Sequence, residues 1–161
     1  MRPSNTTNDQ VVTAIRHICA AATTPVDALD AAMEYLHKHR SDYHWVGIYR
    51  LDGDTLILGP YRGPVTDHER IPVGRGVCGT AVAENRNQIV DDVRAISNYL
   101  ACNLDTRSEM VVLIRHPRDG KILGQIDVDG TRLNQFDTTE EALIDEVGQI
   151  LAPYVIDAFG P

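Results

Sequence analysis

Two of the chain's three cysteines, Cys78 and Cys102, lie in one stretch with a carboxylate, Glu109. Cys78 stands among glycines in "GRGVCGTA", and Cys102 opens the polar run "CNLDTRSE". Thiols placed outside an apolar run have three ordinary uses: packing, metal ligation and redox exchange. Three cysteines are too few, and odd in number, for a disulfide framework. In a reducing compartment, any function they have is catalytic, metal-binding or sensory. Cys19 is different: it falls inside the helical pattern "IRHICAAA" and reads as a small core hydrophobe.

The acids of "GQIDVDG" come next. Asp127 and Asp129 are two apart on a strand and share a face, while Ile126 and Val128 take the other. Paired carboxylates either face solvent or, in a cleft, call for a cation or a donor. If residues 108–116 pair with residues 121–130 around the "PRDG" turn, Glu109 falls near Asp129. Three acids would then converge on a recognition site for an ammonium group. Trp45, the only tryptophan, alternates with Gly47 and Tyr49 on one strand face. That face is either core or an aromatic pocket wall suited to a methyl or a thioether.

Other motifs carry less. Gly74 to Gly79 matches the dinucleotide fingerprint G-x-G-x-x-G, but only "RIPV" precedes it, with Pro72 inside, and the surrounding chain reads as hairpins. The match is read as a tight turn opening a helix. A zinc site from His68, Cys78 and Cys102 lacks a fourth ligand and the close spacings of structural sites, so no metal is expected. The histidines at 37, 39, 44 and 116 fall at element ends and read as solvated or capping groups.

The elements that must position these groups are legible in the pattern. Residues 10–22 form a helix with Val11, Ile15 and Ile18 on one face. A second helix begins at Pro25 behind Thr24 as N-cap, with Val26, Leu29, Met33 and Leu36 as its apolar stripe. Residues 43–51 and 55–63 make a hairpin across "DGD". "RGVCGTAVAEN" reads as a short helix, residues 87–93 as a short strand and residues 94–107 as a long loop. Residues 108–116 and 121–130 form the second hairpin. A last helix starts behind Thr138 as N-cap in a capping box with Glu141, and Leu143, Val147, Ile150 and Tyr154 share one face. The order implies an α+β fold, an antiparallel sheet with the terminal helices together on one side.

The bulk numbers agree. With 161 residues, 43% hydrophobic and 24% charged, the chain has a globular composition and the length of one domain. A net charge of -8 argues against nucleic acid and anionic membrane as partners. The start has no apolar core of a secretory signal, and the longest apolar run, "MVVLI", is far short of a membrane span. A cytoplasmic protein is expected.

The segments "HWVGIY", "LGPYRGPV", "RIPVGRGVCGTAVAEN", "QIVDDV", "ACNLDTRSEMVV" and "IDVDG" followed by "FD" resemble, in order and spacing, the free methionine-(R)-sulfoxide reductases, a branch of the GAF domains. The resemblance runs from about Trp45 to Leu143. It implies a GAF fold, one domain over residues 1–161 with residues 1–9 as a flexible lead-in, and reduction of free methionine sulfoxide. It makes Cys102 the nucleophile and Cys78 a cysteine able to form a disulfide with it. Glu109, Asp127 and Asp129 match the acidic pocket residues, and Trp45 and Tyr49 its aromatic wall. No bound cofactor is implied; thioredoxin would be the external reductant. Two positions depart from the family. Its usual third cysteine, ten residues before Cys78, is His68 here, and the last residue of its "DIDS" run is Gly130. Either Cys78 resolves Cys102 directly, or the chain is a non-catalytic GAF ligand or redox sensor. Pairing of the terminal helices across a two-fold would give a homodimer.

Overall fold

A computed structural model describes residues 6–100 and 104–161 of the chain. The elements run α1 (Asn8–Ala21), α2 (Pro25–His39), β1 (Trp45–Asp52), β2 (Thr55–Arg62), β3 (Arg70–Pro72), α3 (Gly76–Glu84), β4 (Gln88–Val90), β5 (Ser108–Arg115), β6 (Ile122–Gly130) and α4 (Thr138–Phe159). One turn of 3-10 helix spans Val93–Ala95. The strands form one antiparallel sheet in the order β3-β2-β1-β6-β5-β4. Two hairpins, β1–β2 and β5–β6, therefore meet edge to edge along β1 and β6. The fold is α+β, as the element order implies.

α1, α2 and α4 cover one face of the sheet. Their apolar stripes pack on Val46 and Ile48 of β1, Met110, Val112 and Ile114 of β5, and Ile126 and Val128 of β6. The opposite face is covered by α3 and the connecting segments, around Trp45, Tyr49, Leu56, Ile71, Val77, Ala81, Val111 and Leu113. Both faces of the central strands are thus buried, and the hydrophobic alternation of a half-exposed sheet is lost in β5.

Several local readings shift. α1 starts at Asn8, two residues earlier than its apolar pattern suggests, because Thr7 closes a capping box with Gln10. Its buried face is Val11, Ile15 and Cys19, and Ile18 is only half-buried. Thr24 caps α2 as expected, accepting from the Asp27 amide at 3.1 Å. Val26 stays 45% exposed rather than joining the stripe. The cap of α4 is Asp137, not Thr138: its carboxylate accepts from the Glu140 amide at 2.9 Å. A carboxylate at that position also meets the positive end of the helix dipole. The segment "RIP" before the glycines pairs with β2 as the edge strand β3, which suits a proline.

Candidate functional site

The site is built across the centre of the sheet, on the face opposite the three long helices. In β6, Gln125, Asp127 and Asp129 all point to this face. Register then decides their neighbours. Asp129 lies between Trp45 of β1 and Glu109 of β5, Asp127 between Gly47 and Val111, and Gln125 between Tyr49 and Leu113. Glu109 and Asp129 are direct cross-strand partners, as the hairpin reading requires. Asp127 and Asp129 face the interior: they are 0% and 1% exposed, and Glu109 is 3% exposed.

α3 brings the thiol. Cys78 lies in its first turn, buried rather than in an open loop, and its Sγ donates to Glu109 Oε2 at 3.9 Å. Ligand atoms of Cys78, Glu109 and Asp127 all lie within 4.8 Å of one another. The glycines of "GRGVCG" make this approach possible. Gly76 opens the helix at φ +64°, and a Cβ on Gly79 would stand 2.6 Å from the Pro72 carbonyl oxygen. They serve to seat a nine-residue helix tightly against β3, and no parallel βαβ unit surrounds them.

The aromatic residues form one stack beside the acids. The Trp45 ring lies 5.2 Å from that of Tyr61 and 6.2 Å from that of Tyr49. The indole extends over Gly47, where a Cβ would fall 2.5 Å from its Cη2 atom. Two of the polar ends are held: Trp45 Nε1 donates to the Pro64 carbonyl at 3.1 Å and the Tyr49 hydroxyl to the His68 carbonyl at 2.8 Å. The stack therefore fastens the 63–69 loop over the sheet, and His68 is half-buried there.

Electrostatically the centre is under tension. Among the described residues, no hydrogen-bond donor reaches either carboxylate oxygen of Asp127 or Asp129. Burial raises the Asp127 carboxyl above the usual range, partly offset by the Glu109 and Cys78 side chains. Asp129 is raised well above that range, first by burial and then by the charge of Asp127. Cys19 gives the contrast within the same chain: burial alone pushes its thiol to about 11.

Cys102 lies outside the described residues. Leu100, two positions earlier, stands over α3, 2.8 Å from where a Cβ on Gly76 would be. The space remaining beside Cys78, Glu109 and Leu100 is about 10 Å³. Gln125 and Tyr61 are the functional-face residues that pattern reading did not single out. Gln125 follows from the same period of two as the aspartates; it is fully buried and donates from Nε2 to the Cys78 carbonyl at 3.4 Å. Tyr61 has no such signal, because a register shift in the β1–β2 hairpin sets it opposite Gly47.

Comparison with known proteins decides the family. The GAF domain family model matches residues 22–155. The chain is 37% identical to the free methionine-R-sulfoxide reductase of Escherichia coli over 134 residues, 83% of this chain and 79% of that protein. The chain belongs to the free methionine-(R)-sulfoxide reductase family of GAF domains. The structure of the Neisseria meningitidis free methionine-R-sulfoxide reductase in complex with its substrate superposes with a TM-score of 0.87. It is 33% identical, over 98% of this chain and 96% of that one. A type II free methionine-R-sulfoxide reductase from Thermoplasma acidophilum gives a TM-score of 0.78 at 32% identity, over 88% and 95%. The GAF fold expected from the motifs is thus the fold observed. No helix among the described residues is long and apolar enough to cross a membrane.

Proposed function

We propose that this GAF chain reduces free methionine-(R)-sulfoxide, and the observation that carries the reading is the buried row of three acids beside the Cys78 thiol. Its family supplies the reaction class, since the Escherichia coli relative and the substrate-bound Neisseria meningitidis structure are both reductases of this compound by name. The local chemistry is compatible. A free amino acid carries an ammonium that a peptide-bound methionine lacks, and the interior carboxylates of Asp127 and Asp129 call for such a cation. The Trp45 and Tyr49 faces suit the methyl and thioether end of the substrate.

In the proposed sequence a thiolate at Cys102 attacks the sulfoxide sulfur. The oxygen leaves that sulfur for Cys102, one carboxylic acid of the row delivers the proton, and methionine departs. Cys102 is then a sulfenic acid. The Cys78 thiol condenses with it, forming the disulfide and releasing water, and an external dithiol such as thioredoxin restores both thiols. The raised Asp127 and Asp129 carboxyls support the proton-donor role. With histidine at position 68, Cys78 is the resolving thiol in this scheme.

The test couples the protein to thioredoxin, its reductase and NADPH with free methionine-(R)-sulfoxide. NADPH loss is expected, abolished in Cys102→Ser, and the substrate-oxidised protein should carry a Cys78–Cys102 link by mass spectrometry. Absence of turnover at any protein concentration would reject the enzyme in favour of a sensor, and turnover with Cys102 left as sulfenic acid would reject Cys78 as resolver.

A further inference from the structure

We propose that the reduced protein holds a thiophilic divalent cation of the zinc class between Cys78, Glu109 and Asp127. The three side chains come from three elements, α3, β5 and β6, and their ligand atoms lie within 4.8 Å of one another. Tetrahedral zinc bonded to one sulfur and two oxygens places those ligand atoms about 3.5 Å apart. The 3.9 Å between Cys78 Sγ and Glu109 Oε2 thus needs a contraction of about 0.4 Å, and no pair in the cluster needs more than about 1.3 Å.

An acidic cluster alone would not point to a cation. Here Asp127 is fully buried, contributes an oxygen to the cluster, and has neither oxygen met by a donor among the described residues. A buried carboxylate so placed is costly unless a positive charge meets it.

The ligand set selects the metal. Magnesium and calcium take oxygen ligands, whereas a thiolate favours zinc, cobalt and other softer ions. Three protein ligands leave the fourth position to water, the open arrangement of non-structural zinc sites. Binding requires the Cys78 thiolate, so the Sγ–H proton passes to solvent as the Sγ–metal bond forms. The site exists only while Cys78 is reduced. Because the same carboxylates are those proposed to meet the substrate ammonium, the ion and the substrate exclude each other, but the metal site itself does not depend on turnover.

Cobalt(II) added to the fully reduced protein is the direct probe. A thiolate-to-cobalt charge-transfer band is expected, with proton release on binding and displacement by zinc but not by magnesium. Cys78→Ser should abolish the band, Asp127→Asn should weaken cobalt binding at least about tenfold, and Cys19→Ser and Cys102→Ser should leave it intact. Glu109→Gln serves as a further ligand variant if either of the first two loses its native circular dichroism. No band in the wild type, a band that survives Cys78→Ser, or one indifferent to both acid substitutions overturns the proposal. Since no substrate is involved, this result is separable from failure of the reductase reading.

Discussion

The two faces of the sheet share strands and burial but not chemistry. On the helix side, Ile48, Val112 and Ile126 lie in cross-strand register and fill the space beneath α1, α2 and α4 with hydrocarbon. On the other, the neighbouring positions bring Trp45, Asp129 and Glu109 into one row and Gly47, Asp127 and Val111 into the next. One face contributes stability by removing apolar surface from water. The other places four carboxylate oxygens where no donor among the described residues meets them, a cost the first face must offset. Burial by itself therefore says little about what a strand position is for; the partner across the strand says more.

Three substitutions test that contrast, in decreasing order of expected effect. Ile126→Ala removes a fully buried side chain from the helix face and is expected to cost about 2–5 kcal/mol, read from urea denaturation; a cost as small as a surface substitution would mean that this face is not the stabilising one. Gly47→Ala on the acid face puts a methyl 2.5 Å from the Trp45 ring and 2.6 Å from Tyr61 Cβ. About 1–3 kcal/mol should be lost. The emission of Trp45, the sole tryptophan, should shift as the stack is displaced; unchanged emission would show that the indole does not depend on the bare backbone at position 47.

Asp129→Asn should act in the opposite direction. The folded-state pKa of Asp129 is raised by burial and by Asp127, while the unfolded value is about 3.9. Between the two, folding takes up a proton, so wild-type stability falls as pH rises through that window and the full penalty stands above the folded pKa. The variant lacks this penalty. Its melting temperature should exceed that of the wild type by a margin that widens from about pH 4 towards neutrality. A margin that is constant or reversed would mean that Asp129 is satisfied in the fold.

Much of this arrangement is visible without coordinates. The period of two in "GQIDVDG" puts Asp127 and Asp129 together, and the "PRDG" turn sets Glu109 against Asp129. The apolar stripe and Thr24 cap announce α2. What failed locally did so for local reasons. Thr138 and Asp137 are both competent caps, and only the observed bond to the Glu140 amide decides between them. β3 carries a proline and spans three residues, too short for any periodicity. The glycines around Cys78 announce a short helix, but only the coordinates show that they let α3 pack closely enough to bury the thiol.

Residue order alone determined which side chains share a strand face and which strands join through a turn, because alternation and hairpin geometry are short-range properties of the backbone. Tertiary structure decided the rest: that β1 lies against β6, bringing Trp45 beside Asp129, and that α3 covers the acids with a thiol. Those contacts join segments far apart in the chain, and they form only because apolar burial on both sheet faces outweighs the entropy of closing the loops between them.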